Sequence, residues 1–248
     1  MLVLAALAGC IQAYEPDDAV PLVPEDHPCA DEAPGPWAGH PLSGHDLRTS
    51  AYTHDGGIAA LFDQLPAQGS TLSVSVPLGG VVAVNRGFEG EPGGAPLWLA
   101  DAGGGARTFA VSGLDGVDVG DAVSLTVTEI TNYFGELEIT GISDLGVVSA
   151  DNAVHVFSAA SEPVRFPDDR GSNAEYIGLV TGESPDDCGD NPCIEVDNGT
   201  TVQTLDLRGP WPGELIYGET CLHVIAPVEY TRGDARIAAS NFDWIRTW

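Results

Sequence analysis

The stretch GDAVSLTVTEITNYFGELEIT, Gly120–Thr140, decides the fold of this chain. Apolar and polar residues alternate from Val123 to Val127, which predicts a strand with one buried face. Gly135 interrupts this pattern, and a second alternation follows in the letters ELEIT. The stretch therefore predicts two strands that are joined by a tight corner.

The same corner is encoded twice. Gly135 follows the Gly120-Asp121 pair by 15 residues, and Gly233 follows the Gly218-Glu219 pair by the same interval. From Gly218 onward the second copy keeps a constant offset of 98 residues from the first. Because solenoid units are shorter, a repeat of this length indicates a duplicated domain.

The order of these motifs resembles an OB-fold, a small five-stranded barrel. The runs IAALFDQLPAQGSTLSVSVPLGGVVAV (58–84), LWLADAGGG (97–105) and VDVGDAVSLTVTEITNYFGELEIT (117–140) resemble OB-type domains of secreted bacterial proteins, some of them attached to nucleases. The resemblance covers about 57–150 well and about 174–248 more loosely. It implies an all-β protein with two tandem five-stranded OB-like barrels, after a short helix and a disordered N-terminal tether.

This interpretation divides the chain into four parts. They are a lipoprotein signal peptide at 1–9, an acidic, Pro-rich tether at 10–56, OB-like domain 1 at 57–157 and OB-like domain 2 at 158–248. The tether is predicted from a composition of proline, acid and alanine with little periodicity.

The N-terminus predicts a location. The letters Leu7-Ala8-Gly9-Cys10 resemble the lipobox of bacterial lipoproteins, in which the signal is cut before an acylated cysteine. Cys10 is therefore the predicted lipidation site, and Ile11 after it favours the outer membrane. The alternative is an apolar terminus with a chance cysteine. The prediction is a cell-envelope lipoprotein, either periplasmic or surface-exposed.

The other cysteines number four, and an even number suggests disulfides in an oxidising compartment. The turn-forming spacing in DDCGDNPC favours a Cys188–Cys193 bridge, which leaves Cys29 to pair with Cys221. A zinc site is the alternative, but the spacing matches no standard pattern. The same acid-rich loop is expected to be a solvated hairpin tip, and a weak calcium site that uses Asp186, Asp187 and Asp190 is the alternative.

The charge argues against nucleic acid as a partner. The chain has 37 acidic residues against 9 basic ones, all arginine, for a net charge of −28, and such a surface repels phosphate. Trp98 and Phe109 alternate onto the predicted core side, so they are expected to pack rather than to stack on bases. No cofactor and no metal are expected, and His40, His45 and His54 are interpreted as solvated loop residues rather than as a metal cluster.

No nucleophile-elbow or zinc-hydrolase motif organises the serines, histidines and acids of the chain. The predicted function is therefore a noncatalytic, membrane-anchored envelope module that binds a protein or glycan. Its candidate contact loop is PWPGELIY, with Trp211 and Tyr217, although Trp211 as a plug at the barrel end is an equal alternative. A single-stranded nucleic-acid-binding or nuclease-accessory OB protein, and a hydrolase with an unrecognised site, are the alternative functions.

Overall fold

The computed structural model describes residues 22–30, 47–48, 51–90, 94–165, 169–185, 188, 191–209, 214–240 and 244–248. Within these residues it has thirteen β-strands and one short α-helix, α1 (Ile58–Phe62). Cys10, Trp211 and the three aspartates of the acid-rich loop lie outside the described residues. In the part of the chain that is described, no helix has the length and apolar character needed to cross a membrane.

The first barrel is closed by five strands in the order β2-β3-β4-β6-β5. Antiparallel pairing of β2 with both β3 and β5, and parallel pairing of β4 with β6, close the circle. This is the strand order that an OB-fold requires. The strands are β2 (Thr71–Arg86), β3 (Leu97–Asp101), β4 (Gly104–Thr108), β5 (Ala122–Tyr133) and β6 (Glu136–Ser149).

The second barrel repeats this arrangement in the order β8-β9-β10-β12-β11, and β8 pairs with β11 to close it. Its one parallel pair, β10 with β12, corresponds to β4 with β6 in the first barrel. The prediction of an all-β protein with two tandem five-stranded barrels is therefore confirmed. The strands are β8 (Asn173–Glu183), β9 (Cys193–Asp197), β10 (Val202–Leu207), β11 (Cys221–Thr231) and β12 (Asp234–Ala239).

Three further strands extend the sheet that forms the second barrel. They are β1 (Leu47–Arg48), β7 (Val154–Ser158) and β13 (Ile245–Thr247). Strand β7 pairs in parallel with both β1 and β8, and β13 pairs with β11. Strand β7 therefore carries the chain from the first barrel directly onto the edge of the second.

Strand β2 must bend to pair with both of its neighbours. Its pairing with β5 shifts register between Gly79 and Val81, where Gly80 has a φ of +69°. A left-handed residue at a bulge turns a long strand sharply, and glycine adopts that conformation without steric cost. The glycine-marked kink is thus one of the features that closes the first barrel.

The repeated corner is a two-residue turn with positive φ at both positions. Phe134 and Gly135 have φ values of 49° and 103°, and Arg232 and Gly233 have 58° and 103°. Positive φ at both central residues is the requirement of the type I′ hairpin turn, where asparagine, aspartate or glycine is usual. Phenylalanine and arginine therefore hold a left-handed conformation that is costly for them.

Both disulfides are present, and they join the pairs that the spacing favours, Cys29 with Cys221 and Cys188 with Cys193. Cys29 belongs to the segment Leu22–Ala30, which packs on the second barrel beside the buried side chain of Ile177. This part of the range that is predicted as a tether is thus fixed to the second barrel. A residue range with low periodicity can still be ordered when a covalent bond holds it.

A shared apolar core joins the barrels. Leu97 and Leu99 point into the first barrel, whereas Trp98 between them points outward and is buried against the second barrel. The prediction that Trp98 alternates onto the core side of its own strand is therefore wrong, although its role is packing. The shared core also contains residues from β2, β7, β11 and β12 and from the C-terminal segment: Val82, Val84, Val156, Ile225, Ala238 and Trp244.

Candidate nucleic-acid interface

The junction cleft is a groove between the two barrels. Strands β3, β4 and β6 of the first barrel form one wall, and β11 of the second barrel forms the other. The side chains that define it include aromatic, basic and acidic residues: Phe62, Trp98, Arg107, Glu136, Arg170, Glu229 and Tyr230. In an OB-fold the face of the second and third strands is the usual ligand surface, so this wall is the expected place for a site.

A buried charge cluster adjoins the junction cleft and shares Arg107, Glu136 and Glu229 with its lining. The Arg208 guanidinium contacts Glu229, lies 3.1 Å from the Asp206 carboxylate and lies 3.9 Å from Glu136. On the first barrel, Arg107 Nη1 lies 3.3 Å from Glu138 Oε1. The cluster therefore contains four carboxyl groups and two guanidinium groups, all of them buried.

The excess of acid in this cluster shifts its protonation. Burial raises the pKa of the Glu136 carboxyl well above its usual range, and the neighbouring Glu229 raises it further against the opposing effect of Arg208. Burial also raises the pKa of Asp206. The folded protein therefore binds protons at these carboxyls at pH values where the unfolded chain has released them.

This imbalance predicts a pH-dependent stability. The pKa of Glu136 is higher in the folded protein than in the unfolded chain. The stabilisation that comes from its bound proton is therefore lost as the pH rises from the ordinary pKa of a glutamate through the raised pKa. We expect Glu136→Gln to increase the free energy of unfolding by about 1 kcal/mol at about pH 8 and to change it little at about pH 5. Chemical denaturation at both pH values, with exposed Glu183→Gln as the control, measures this difference. An equal loss of stability at both pH values would contradict the account.

Trp98 connects the cluster to the barrel junction. Its Nε1 donates a hydrogen bond of 2.8 Å to Glu229 Oε1, and the guanidinium of Arg107 lies 5.4 Å from the centre of its ring. Arg107 also lies 5.3 Å from the ring of Phe109. The aromatic and basic residues of this OB face are therefore engaged within the protein, in agreement with the prediction that Trp98 packs.

The rim of the junction cleft carries two exposed aromatic residues. Tyr133 and Phe134 are 38% and 37% exposed, and their ring centres lie 4.9 Å apart at an angle of 87°. The Arg232 backbone N–H donates a 2.9 Å hydrogen bond to the Phe134 carbonyl, and the Arg232 guanidinium lies 4.3 Å from the Phe134 ring. The two repeated turns therefore contact each other, one from each barrel. We call Tyr133, Phe134, Tyr230 and Arg232 the paired-turn surface.

A second arginine–aromatic pair lies at the other end of the cleft. The Arg170 guanidinium stands 3.5 Å from the centre of the Phe62 ring and donates a 3.0 Å hydrogen bond to the Gly103 carbonyl. Helix α1, which carries Phe62, is held there by Asp101, whose carboxylate accepts hydrogen bonds from the backbone of Gly56 and Ile58. The cleft thus has an arginine over an aromatic ring at each end, and a cation–π contact joins the two side chains of each pair.

Tyr217 and His54, which the sequence also singles out, are not among the residues that line this cleft. Tyr217 of the predicted contact loop is 48% exposed, and Trp211 lies outside the described residues. His40 and His45 also lie outside them, whereas His54 Nε2 is 2.7 Å from the Gly79 carbonyl. Among the described residues no group of three or more His, Cys, Asp or Glu is placed to hold a metal ion.

Sequence reasoning missed the paired-turn surface. Tyr133 and Phe134 sit beside the repeated glycine, and their position before Gly135 is visible in the sequence. Arg232 holds the same place before Gly233 in the second copy. The signal in the sequence was a phenylalanine and an arginine at turn positions where glycine or asparagine is usual, since such costly residues are concentrated at functional sites.

No protein-family model and no curated protein matches the chain. Solved structures match it in shape. The tetrameric p202 HIN2 domain is 10% identical, with a TM-score of 0.35 over 73% of this chain and 94% of its own. The Ifi202 HINa domain in complex with double-stranded DNA is 13% identical, with a TM-score of 0.35 over 72% and 98%. A murine DNA-binding protein bound to double-stranded DNA is 12% identical, with a TM-score of 0.37 over 69% and 94%.

The strand order defines the class of the chain as an all-β protein of two tandem OB-type barrels. Two predictions are contradicted, the membrane-anchored envelope module for a protein or glycan and the judgement that nucleic acid is an unlikely partner: two of the similar structures are complexes with double-stranded DNA. The physical reason lies in the charge. A net charge of −28 is a sum over the whole chain and does not describe the field at one groove. The junction cleft and its surroundings hold four buried carboxyl groups and four of the nine arginines, so the ratio of basic to acidic groups is higher there than over the whole chain. These arginines are Arg107, Arg170, Arg208 and Arg232.

Proposed function

We propose that this chain is a noncatalytic nucleic-acid-binding protein that stacks unpaired bases on its paired-turn surface. The observation that carries the proposal is the contact between the two repeated turns, which places Tyr133, Phe134 and Arg232 side by side on the rim of the junction cleft. The turn between the fourth and fifth strands of an OB barrel is one of its ligand-binding loops. Here both barrels present that turn at one place.

The chemistry of the paired-turn surface suits bases better than phosphates. Every base has a π-face, and stacking on an aromatic side chain is worth about 1 to 3 kcal/mol per base. An arginine beside such a ring adds a cation–π contribution and a partner for one phosphate. Bases inside a duplex are stacked on each other, so this mode of binding favours unpaired nucleotides.

Backbone strain supports a functional role for these side chains. Phe134 and Arg232 occupy left-handed positions at which asparagine or glycine would cost less free energy. Strained residues persist where the surrounding structure holds them, and they are concentrated at functional sites. A phenylalanine and an arginine in equivalent turns are therefore better explained by what their side chains bind than by what their backbones prefer.

The electrostatics predict weak dependence on salt. Arg107 and Arg208 lie against buried carboxylates, whereas Arg170 and Arg232 lie at the two ends of the junction cleft, each over an aromatic ring. Each phosphate contact with a single strand contributes about −0.7 to the slope of log K against log salt. With one or two contacts, we expect a slope between about −0.7 and −1.4.

The substitution that tests the proposal is Phe134→Asn. Asparagine suits the left-handed turn, so this variant is expected to be as stable as the unsubstituted protein or about 1 kcal/mol more stable. It removes the stacking ring, so its affinity for single-stranded DNA of about 16 nucleotides is expected to fall about tenfold or more. Fluorescence anisotropy with a labelled oligonucleotide measures the affinity, and thermal unfolding measures the stability.

Tyr217→Ala is the matched control, because Tyr217 is a similarly exposed aromatic residue on the second barrel away from the paired turns. It is expected to leave the affinity unchanged. Equal loss of affinity in both variants, or none in Phe134→Asn, would contradict the assignment of the surface. If duplex DNA of the same sequence binds as tightly as the single strand, base stacking is not the mode of binding.

A hydrolase is the remaining alternative, and one contact bears on it. His155 Nδ1 lies 3.0 Å from Ser172 Oγ, a distance at which a histidine can act as base toward a serine. A catalytic site also needs an orienting group and donors for an oxyanion, so the pair alone does not define one. We retain the noncatalytic proposal for this reason.

The location of the chain remains a proposal from the sequence. We propose that the chain is exported and that Cys10 is acylated at the cell envelope, on the strength of the lipobox-like letters around it. Metabolic labelling with a fatty acid tests this, since Cys10→Ala is expected to abolish the label. Labelling that survives this substitution would contradict it. The binding proposal does not depend on the outcome.

A further inference from the structure

The Cys188–Cys193 disulfide has a buried positive charge beside it. Arg236 of β12 is fully buried, and its Nη1 lies 2.6 Å from Cys188 Sγ and 3.7 Å from Cys193 Sγ. Asp234 Oδ2 lies 4.0 Å from Arg236 Nη2, and this aspartate is largely exposed. A disulfide is neutral and gains little from a guanidinium, whereas a thiolate at the same place would gain a strong ion pair.

The two disulfides of the protein differ in the length of chain that they close, in exposure and in the charge beside them. The Cys188–Cys193 bridge spans five residues and the Cys29–Cys221 bridge spans 192, so the short bridge restricts the unfolded chain far less. Cys188 and Cys193 are each 7% exposed, while Cys29 is fully buried and Cys221 is 4% exposed. A guanidinium lies directly against the short bridge.

We propose that Cys188–Cys193 is a thiol–disulfide exchange site in which Arg236 stabilises the Cys188 thiolate as the leaving group. The co-reactant is an external thiolate. Its sulfur attacks Cys193 Sγ, a mixed disulfide forms between the two, and the Cys188–Cys193 bond breaks. The electron pair of that bond leaves on Cys188 as a thiolate, which Arg236 holds. A second thiolate that attacks the mixed disulfide releases the Cys193 thiolate, so one disulfide is reduced and one external disulfide is formed.

The distances select the sulfur that leaves. Exchange is faster when the leaving thiolate is the better stabilised of the two, and the guanidinium is 1.1 Å closer to Cys188 than to Cys193, from 2.6 and 3.7 Å. The loop between the two cysteines precedes β9 and is the connection between the first two strands of the second barrel. In an OB-fold the loop between the first two strands binds ligands, as does the loop between the fourth and fifth strands. Reduction would therefore remove the covalent bond across a ligand-binding loop of the second barrel.

The experiment titrates the full chain in buffers with graded ratios of reduced to oxidised glutathione, followed by acid quench, alkylation and mass spectrometry of each cysteine. The Cys29–Cys221 bridge in the same molecules is the internal control. We expect Cys188–Cys193 to be half reduced at a ratio of thiol to disulfide at least about tenfold lower than Cys29–Cys221. Glutathione trapped on the chain is expected on Cys193 and not on Cys188. A second titration with a protein dithiol distinguishes a small thiol from a protein as the natural donor.

Arg236→Met keeps an unbranched apolar stem and removes the charge, and Arg236→Lys keeps the charge. The methionine variant is expected to need about tenfold more thiol to reduce Cys188–Cys193, whereas the lysine variant stays closer to the unsubstituted protein. If both Arg236 variants fail to fold, the comparison of the two disulfides in the unsubstituted chain decides the question. Simultaneous reduction of both bridges, greater resistance of Cys188–Cys193, or glutathione trapped mainly on Cys188 would overturn the proposal.

Discussion

Replacing Cys29 and Cys221 together by alanine is expected to lower the free energy of unfolding by about 5 kcal/mol, the largest effect on stability that we predict for any change in this chain. The bond closes a loop of 192 residues, so the unfolded chain gains much freedom when it is removed. Both cysteines are buried in a small cluster with Val23 and Ile177. Leu22–Ala30 is therefore expected to detach from the second barrel.

The matched control is the double replacement of Cys188 and Cys193 by alanine. Because this bond closes a loop of only five residues in sequence separation, the same relation gives about 2 kcal/mol. Urea denaturation of both double variants under identical conditions measures the difference. A loss of stability for the Cys29 and Cys221 pair no greater than that for the control would show that the N-terminal segment contributes little to the folded state.

Trp98→Ala is expected to cost about 3 to 5 kcal/mol and to weaken the junction of the barrels. The side chain is 2% exposed and packs in the shared apolar core, and its N–H donates a hydrogen bond to the Glu229 carboxylate. Because that core joins the barrels, the unsubstituted protein is expected to unfold in one transition in calorimetry, and Trp98→Ala in two. The larger part of the loss comes from packing.

Trp98→Phe separates packing from hydrogen bonding. It keeps most of the ring volume and removes the N–H donor, so we expect a loss of about 1 to 3 kcal/mol and a single transition. A cost below about 1 kcal/mol for Trp98→Ala would contradict the account of the junction, and so would two transitions in the unsubstituted protein.

The architecture of each barrel could be predicted because it depends on local signals. Alternation from Val123 to Val127 and the glycine at 135 are visible within one stretch, and they specify a strand and its turn. The repeat at Gly218–Gly233 then supplies the second barrel. Cysteine spacing favoured the correct partners because a five-residue separation with glycine and proline can turn back on itself.

The helix shows where a local pattern stops being sufficient. Apolar residues at helical spacing from Ile58 to Leu65 predict a helix over that range, but α1 ends at Phe62. Pro66 follows closely, and the residue before a proline disfavours the helical conformation. The pattern therefore indicates the element and its buried face, while the boundary depends on the residue that follows.

The junction could not be predicted, because it depends on how two barrels face each other. Alternation shows that Leu97 and Leu99 share one face of β3, but not that Trp98 on the opposite face meets a second barrel. In the same way, Phe134 and Arg232 are 98 residues apart, and only the relative orientation of the barrels brings their turns into contact. The candidate site could not be predicted from the sequence because it depends on this long-range contact.

The most direct test of the account is a photocrosslink between the full chain and a single-stranded oligonucleotide that carries 5-iodouracil at successive positions. Irradiation joins the base to an aromatic ring in contact with it, and mass spectrometry of the digested protein identifies the residue. We predict crosslinks to Tyr133 or Phe134, which Phe134→Asn reduces and Tyr217→Ala leaves unchanged. Crosslinks that lie elsewhere on the barrels, or none at all, would contradict the claim that the paired turns bind nucleic acid.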